Sequence, residues 1–355
     1  MATRAQEIRI FILEKIPHHP KDIVAVTAEA FGVTRMTVHR HLNRLLRDKK
    51  IVKTGTTKGA AYFLKTSLDK TLIFEIQPEI RASQVWDEYL KTSFNRLPES
   101  VLEICRYGFD EVFNNALEHS GGKGVVVKTV WKKDSLELSI IDDGKGIFQS
   151  IQKAVGLQDI RESVLQLTKG KFTTLPERHS GRGIFIISRL FDVFGIFSNG
   201  LFYCKDNLGD DWYLEKRKIT KSKGTRVSLA IRFDCERTLK QVIGQYSDKP
   251  SETPEIDKTE ILIQLSQMED EPYISRRQAK RVLQGLEKFR RVVLDFQNIP
   301  VVGQAFVEEV FRMFRSSHPD IDITSIHANQ DVQFMIDKSL SPEMEQAQVP
   351  LFPES

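Results

Sequence analysis

Apolar residues recur at helical spacing three times in the first 65 positions, and two short strand-like runs follow them. The predicted helices cover residues 4–15, 22–31 and 34–49, and the predicted strands cover residues 51–53 and 61–64. Gly32 lies in a tight turn before the third helix, and Thr34 is placed to cap that helix. Two helices joined by a glycine-containing turn form a helix-turn-helix arrangement.

The third predicted helix carries basic side chains on the face opposite its apolar positions. Val38, Leu42 and Leu45 share the apolar face. The outward set consists of Arg35, Thr37, His39, Arg40 and Arg44. The first 65 residues hold 13 Lys or Arg and 5 Asp or Glu, a net charge of +8, whereas the whole chain carries +4. This concentration of positive charge predicts a polyanionic partner for the N-terminus.

The two strands and the turn between them resemble the wing of a winged-helix domain. The resemblance implies that residues 1–65 bind DNA, with the third helix in the major groove and Lys53 and Lys58 on phosphates. The alternative is a winged helix that serves only protein contacts or dimerisation.

A second pattern lies on the helix predicted over residues 107–120. Glu111, Asn115 and His119 recur every four residues and therefore share one face. Such a face offers a carboxylate that orients or deprotonates a nucleophile, beside an amide oxygen that can bind Mg²⁺. The same stripe is also typical of an ordinary solvated helix face.

A buried strand is predicted further along the chain. The apolar alternation of residues 136–141 ends at Asp142, and Gly144 and Gly146 follow. An aspartate buried at a strand end can accept a hydrogen bond from an adenine amino group, and glycines let the backbone approach a base. The alternative is a hairpin turn, because Asp-Gly is a common turn dipeptide.

A third glycine-containing segment precedes an apolar helix. Gly181, Arg182 and Gly183 open that helix, so backbone N–H groups at its N-terminus are placed to hold phosphates. Residues 148–177 are polar and contain lysines, which predicts a flexible lid over a nucleotide. A final strand begins near Thr225.

The four elements in this order resemble the GHKL ATPase superfamily of gyrase, Hsp90, histidine kinases and MutL over about residues 100–233. The matching residues are Glu111, Asn115, Ala116 and His119 in the N box, Asp142, Gly144 and Gly146 in the G1 box, and Gly181 and Gly183 in the G2 box. The N box is most similar to that of the anti-sigma-factor serine kinases. The resemblance implies a two-layer α/β sandwich with a mixed sheet and helices on one face. The implied strands lie near 124–131, 136–142, 193–205, 211–216 and 224–233.

The resemblance also implies ATP and Mg²⁺ as cofactors and assigns roles. Glu111 is the implied general base or water-orienting group, Asn115 the Mg²⁺ ligand, and Asp142 the reader of the adenine amino group. The implied ATP-binding set is Asn115, His119, Asp142, Gly144, Gly146, Gly181, Arg182, Gly183 and Thr225. In that set Thr225 supports Asp142 through a bound water. Residues 70–100 contain no histidine, so two-component autophosphorylation is not expected.

The C-terminal part alternates predicted strands and helices, which indicates a small α/β domain. It resembles the STAS domains of anti-sigma-factor antagonists, and more closely a STAS-like type, DUF4325, that follows GHKL domains. Antagonist STAS domains carry a phosphorylated serine where a helix opens, but residues 303–306 read Gly-Gln-Ala-Phe here. The resemblance implies a protein partner, although phosphorylation at that position is not expected.

Composition then divides the chain. The predicted fold class is multidomain α/β (α+β), with a winged helix at 1–65, a GHKL domain at 70–240, a polar linker at 241–258, a STAS-like domain at 259–341 and a tail at 342–355.

The start lacks an apolar signal core and no apolar stretch is long enough to cross a bilayer. Three scattered cysteines are not spaced as metal ligands. A cytoplasmic protein is expected, and the resemblances imply a homodimer.

Together these features predict an ATP- and Mg²⁺-dependent regulator that couples a GHKL switch to DNA binding and transcriptional control. One alternative is an anti-sigma-factor-like Ser/Thr protein kinase that acts on a STAS-type partner, because Glu111 suits phosphoryl transfer and hydrolysis equally well. A second alternative is a scaffold in which ATP has only a structural role.

Overall fold

The computed structural model describes residues 3–16, 18–54, 60–64, 68–172, 181–216, 223–247, 255–267, 271 and 274–341. The chain forms two compact units, Met1–Leu68 and Asp69–Ser355, and each unit has its own hydrophobic core. Across these described ranges, every helix is too short or too polar to cross a lipid bilayer.

The first unit consists of three helices and a two-stranded antiparallel hairpin. Its elements are α1 (Arg4–Lys15), α2 (Ile23–Phe31), α3 (Arg35–Arg47), β1 (Ile51–Thr54) and β2 (Ala61–Leu64). Gly32 ends α2 in the left-handed conformation, with φ at 60°, which a residue with a Cβ adopts less readily. Thr34 begins α3 because its Oγ1 accepts the backbone N–H of Thr37 at 3.2 Å. The secondary structure follows the predicted pattern.

The second unit is built on a seven-stranded sheet. Its strands are β3 (Lys70–Glu75), β4 (Gly124–Trp131), β5 (Ser135–Asp142), β6 (Val193–Ser198), β7 (Leu201–Asp206), β8 (Asp211–Lys216) and β9 (Thr225–Arg232). They lie in the order β3-β4-β5-β9-β6-β7-β8, and every neighbouring pair is antiparallel. Side chains alternate between the two faces, so one face of the central strands is fully buried.

Helices cover that buried face. They are α4 (Ala82–Val85), α5 (Lys91–Phe94), α6 (Glu99–His119), α7 (Ile147–Val155), α8 (Glu162–Lys169) and α9 (Gly183–Leu190), with a π-helical turn at Trp86–Leu90. The long helix α6 crosses β4, β5 and β9. A Cβ at Gly108 of α6 would collide with the ring of Phe191, so glycine permits this close packing.

The predicted α/β sandwich is confirmed, but three details of its sheet differ from the prediction. The sheet is antiparallel throughout rather than mixed. The strand expected over 193–205 is two strands, because Asn199 and Gly200 both have positive φ and turn the chain back. The edge strand β3 is an additional strand that the sequence did not predict.

A second, parallel sheet of three strands forms the C-terminal part. Its elements are α10 (Leu239–Tyr246), β10 (Lys258–Leu262), α11 (Arg276–Leu283), β11 (Arg291–Asp295), α12 (Gln304–Val307), α13 (Arg315–Ser317), β12 (Asp322–Ile326) and α14 (Gln330–Leu340). A π-helical segment, Glu308–Phe314, joins α12 to α13, and a 3₁₀ turn, Ile263–Ser266, follows β10. The strand order is β10-β11-β12, and helices between the strands provide the crossover connections that parallel pairs need. This smaller α/β part also agrees with the predicted fold class.

Part of the segment predicted as a polar linker, 241–258, forms a helix or packs into the core. Helix α10 occupies its beginning, because Thr238 and Gln241 form a capping box. Tyr246 and Ile256 are buried, at 7% and 2% exposure. The few apolar residues of this segment therefore pack against the rest of the second unit, and one contiguous core runs into the C-terminal sheet.

The segment predicted as a flexible lid, 148–177, contains two helices in its described part. Helix α7 buries Phe148 and Ile151, and helix α8 buries every residue except Thr168. The prediction of a flexible lid is therefore wrong for residues 148–172, because their polar side chains find partners inside the protein. Residues 173–177 lie outside the described ranges.

Candidate functional site

A cavity of about 300 Å³ opens between α6, α7, α9 and the ends of β5 and β9. Its polar lining consists of Glu111, Asn115, His119, Ser120, Asp142, Ser150, Arg182 and Thr225, together with the glycines 146, 181 and 183. Its apolar lining includes Ile140, Ile151, Leu167, Phe172, Ile184 and Val227. The structure thus brings together every residue of the predicted ATP-binding set except Gly144. Apolar walls with a few convergent polar groups are typical of small-molecule sites.

Helix α6 supplies the first group of these side chains. Its opposite face packs into the core through residues such as Phe109 and Phe113, which fixes the rotation of the helix. Glu111, Asn115 and His119 therefore all face the cavity from successive turns. The stripe that by itself could have been a solvated face is a cavity wall.

Asp142 lies at the end of β5 and is 8% exposed. Its Oδ1 accepts the backbone N–H of Gly144 at 2.9 Å and that of Thr225 at 3.3 Å. Burial raises the pKa of Asp142 above its usual range, although these two N–H donors act in the opposite direction. Both backbone bonds go to Oδ1, so the carboxylate is held in place while it still contributes to the cavity lining.

Thr225 joins β9 to the segment that follows β5. Its N–H contacts Asp142 directly, and its Oγ1 accepts the backbone N–H of Ile147 at 3.0 Å. A Cβ at Gly224, where φ is 86°, would collide with the carbonyl oxygen of Asp142. The strand start can approach the aspartate this closely only because position 224 is glycine.

Gly144 and Gly146 have different positions. A Cβ at Gly144 would collide with the carbonyl oxygen of Ser120 at the end of α6, so this glycine serves packing and does not line the cavity. Gly146 has φ of 87°, lines the cavity and precedes the first turn of α7. The segment between Asp142 and α7 is therefore pressed against α6 on one side and faces the cavity on the other.

Asn199 is a residue that the sequence analysis missed. Its side chain donates to the carbonyl oxygen of Lys145 at 3.0 Å and accepts the backbone N–H of Gln149 at 3.1 Å. A Cβ at Gly146 would collide with the same side chain. The Asn-Gly pair at 199–200 signals a turn, but no local pattern shows that the turn reaches residues 145–149.

The N-terminus of α9 forms another wall. Gly181, Arg182 and Gly183 line the cavity, and a Cβ at Gly183 would collide with Oε2 of Glu111. The Glu111 carboxylate thus lies against the end of a helix whose first backbone N–H groups lack helical partners. This end of the cavity favours negative charge.

Tyr107 is a second residue that the sequence analysis missed. Burial is the main cause that raises the pKa of its hydroxyl, the charge of Glu111 raises the pKa further, and Arg182 opposes both. Tyr107 lies one turn before Glu111 on α6, so a spacing of four residues was the available signal. Its hydroxyl lies within electrostatic reach of two cavity residues from different helices.

The residues predicted to bind DNA lie in the first unit. Arg35, His39, Arg40, Arg44 and Lys53 are exposed. Thr37 is half-buried, and its backbone N–H bonds to the cap Thr34. Arg44 Nε also bonds to Asp48 at 3.0 Å. Lys58 lies outside the described residues.

The residues around the cavity fit ATP and Mg²⁺. Asp142 offers a fixed acceptor beside apolar side chains, which suits a purine. The amide of Asn115 and the carboxylate of Glu111 are oxygen donors of the kind that Mg²⁺ binds. The α9 N-terminus and Arg182 supply N–H donors and positive charge for phosphates.

Comparison with known protein families agrees with this geometry. Residues 79–200 match the histidine kinase-like ATPase domain family, and residues 278–333 match the family described as a STAS-like domain of unknown function, DUF4325. The first match contains Glu111, Asn115, Asp142 and Gly181–Gly183 but ends before Thr225. No curated protein matches the chain. The chain therefore contains a histidine kinase-like ATPase domain followed by a STAS-like domain.

Proposed function

We propose that this protein is an ATP- and Mg²⁺-dependent regulator that binds DNA through its first unit and thereby controls transcription. The observation that carries the nucleotide part is the buried Asp142 carboxylate, which lines the same cavity as the Glu111–Asn115 face of α6 and the N-terminus of α9. A histidine kinase-like ATPase family match over these residues supports ATP as the ligand.

Each wall of the cavity has a proposed task. Oδ2 of Asp142 accepts from the adenine amino group, and Thr225 and Gly144 hold that carboxylate through their N–H groups. Gly146 gives a base room to lie close to the backbone. At the other end, Arg182 and the N–H groups of Gly181 and Gly183 bind phosphate oxygens.

Asn115 and Glu111 complete the site from α6. The amide oxygen of Asn115 is the proposed Mg²⁺ ligand, and His119 lines the cavity one turn further along. Bound Mg²⁺ supplies neutralisation of phosphate charge. Glu111 holds or accepts the proton of an attacking hydroxyl or water, which fits both hydrolysis and the alternative role as a Ser/Thr protein kinase on a STAS-type partner.

The DNA-binding part is supported by the surface of α3. Arg35, His39 and Arg40 are exposed on its N-terminal half, which is the part of a recognition helix that reaches base edges. Lys53 on β1 extends the positive charge toward the hairpin. The resemblances also support a cytoplasmic homodimer as the working form.

Nucleotide binding is tested by calorimetric titration of Mg-ATP into the wild type and Asp142→Asn. The amide replaces one acceptor oxygen with a donor, so we expect affinity to fall by at least about tenfold, as for the loss of one charge-assisted hydrogen bond. Asp134→Asn, an exposed substitution in the β4–β5 turn, is the matched control and is expected to bind normally. Equal affinity in wild type and Asp142→Asn would refute the assignment of Asp142.

DNA binding is tested by measuring affinity for duplex DNA across a salt series. We expect affinity to fall steeply with salt, and Arg40→Ala to weaken it, because lost phosphate contacts reduce counterion release. Lys15→Ala removes the same charge from an exposed position on α1 and is expected to change little. Failure of the wild type to bind at low salt would exclude the DNA-binding role, and equal binding with and without ATP would exclude the coupling.

A further inference from the structure

Helix α8 forms a common wall between the cavity and the STAS-like part of the chain. Leu167 of α8 and Phe172 just beyond it line the cavity. On its other side α8 contacts β10 and the 3₁₀ turn that follows β10. Because α8 is buried at every position except Thr168, it cannot move without disturbing one of these two neighbours.

Lys169 fastens the end of α8 to the C-terminus of α11. Its Nζ donates to the carbonyl oxygens of Arg281 and Gln284, each at 2.8 Å, and the side chain is only 2% exposed. Free carbonyl groups at a helix C-terminus favour such a donor. A lysine is rarely buried to this degree without partners, so its two bonds define one docked position of α11 against α8.

Two further hydrogen bonds join the same surfaces. Thr259 of β10 donates its hydroxyl to the carbonyl oxygen of Lys169 at 2.6 Å. Gln166 donates to the side-chain oxygen of Gln284 at 3.1 Å. The last turn of α8 is therefore bound both to a strand and to a helix of the STAS-like part.

The first turn of α8 is held by an ion-pair cluster on the same helix of the STAS-like part. Nε of Arg281 lies 3.4 Å from the carboxylate of Glu162, and its Nη1 lies 2.8 Å from that of Glu271. Nη1 also donates to the carbonyl oxygen of Ser266 at 2.9 Å. Arg281 thus contacts the start of α8 with its side chain and the end of α8 with its carbonyl group.

We propose that the STAS-like domain regulates the affinity of the nucleotide site by clamping α8, so that Leu167 and Phe172 are held as part of the cavity wall. This inference rests on the proposed binding of ATP. Thermodynamic coupling between two sites is reciprocal. A nucleotide that contacts Leu167 and Phe172 in this position therefore also stabilises the contact between α8 and α11. A partner protein that strengthens or weakens the contact between the STAS-like domain and α8 therefore changes nucleotide affinity without contacting the cavity.

The first test measures Mg-ATP affinity in Lys169→Met, which keeps an unbranched side chain of similar length but removes the ammonium group that donates to Arg281 and Gln284. We expect affinity to fall by at least about fivefold, the lower end of typical coupling between sites. Lys153→Met is the matched control, because Lys153 is an exposed lysine in the last turn of α7. Affinity equal to that of the wild type in Lys169→Met would overturn the proposal.

A second variant, Thr259→Val, keeps the proposal testable if Lys169→Met fails to fold. Valine has nearly the same shape and suits a strand, but it cannot donate to the carbonyl of Lys169. We expect weaker Mg-ATP binding here too, although Thr259 lies outside the cavity lining. Unchanged affinity in a folded Thr259→Val protein would contradict the clamp.

Amide hydrogen exchange separates this inference from the proposed function. In the wild type, Mg-ATP is expected to slow exchange in β10 and α11, and both variants are expected to lose that response. If the wild type binds Mg-ATP but exchange in β10 and α11 does not change, the clamp is wrong and the nucleotide site stands. If the wild type binds no Mg-ATP, the proposed function itself fails.

Discussion

Asn199 sets the geometry of a binding cavity that it does not line. Its φ of 51° is unusual for a residue with a side chain, and it begins the tight turn between β6 and β7. From there the amide holds Lys145 and Gln149, which flank the cavity-lining Gly146. A single side chain thus fixes the loop between Asp142 and α7 in position.

Exchanging this amide for a carboxylate is expected to weaken Mg-ATP binding. In Asn199→Asp the N–H of Gln149 and the hydroxyl of Ser198 keep an acceptor, but an oxygen replaces the donor that faces the carbonyl of Lys145. The bond to Lys145 is exposed, and an ordinary hydrogen bond contributes about 0.5–1.5 kcal/mol, so affinity is expected to fall by roughly 2- to 10-fold. Calorimetric titration measures the affinity, and urea unfolding measures the stability.

The matched control for this prediction is Asn207→Asp. Asn207 also donates two hydrogen bonds to backbone carbonyls, those of Ser188 and Phe191, but it lies in the β7–β8 turn away from the cavity. It is expected to lose stability and to keep normal affinity. A comparable loss of affinity in both variants would mean that Asn199 acts only on general stability.

Residues that share one helix face or one strand end could be predicted from the sequence. Glu111 and Asn115 lie four residues apart on one helix, and Asp142 ends an alternating strand, so the local pattern fixes the direction of each side chain. The structure places all three at the cavity. Asn199 was not predictable because its partners lie about 50 residues earlier in the chain. Gly144 illustrates the reverse case, since its glycine requirement comes from the carbonyl of Ser120 and not from a ligand.

At the scale of elements, α8 shows how polar composition misleads. Glu162, Gln166 and Lys169 resemble a solvated segment, and the sequence therefore predicted a flexible lid. All three are buried because Arg281 and Gln284, more than 100 residues later, supply their partners. Periodicity within a helix predicts which residues face inward only where the inward residues are apolar.

The burial of Lys169 makes the free energy of unfolding depend on pH. Burial lowers the pKa of its ammonium from 10.5 to about 7, although Glu287 and Glu162 oppose the shift. In the unfolded chain the lysine keeps its ordinary pKa, so between pH 7 and 10.5 the unfolded state binds more protons than the folded state. This group therefore adds stability as pH rises through that window, and its contribution is lost as pH falls toward 7.

Urea unfolding of the wild type and Lys169→Met from pH 7 to pH 10 checks this sign. The free energy of unfolding of the wild type is expected to rise relative to that of the variant as pH increases. Lys153→Met, which removes an exposed lysine, is expected to keep a constant difference from the wild type. A wild-type advantage that shrinks at high pH would show that Lys169 is held as a fully charged ammonium.

At the scale of the whole molecule, the sequence predicted three units separated by changes in composition, whereas the structure forms two. The sequence predicts its first boundary near residues 66–70, and the two units divide at Leu68 and Asp69. The second boundary does not divide the structure, because Tyr246 and Ile256 carry the core across the polar segment and α8 packs on the C-terminal sheet. A polar run indicates a linker only when the elements on its two sides bury their apolar side chains separately.

Calorimetric unfolding of the full chain is expected to show two transitions and not three. The first unit, with its own small core, and the second unit, with one continuous core, each unfold cooperatively. Because unfolding enthalpy scales with chain length at about 0.7 kcal/mol per residue, the larger transition is expected to carry roughly four times the enthalpy of the smaller.

A fragment ending at Leu68 is the control and should reproduce the smaller transition. Truncation after Ser247 is expected to abolish the larger transition, because it exposes the core that α8 and α10 share with β10. A third transition, or a stable fragment 69–247, would show that the ATPase and STAS-like domains fold independently.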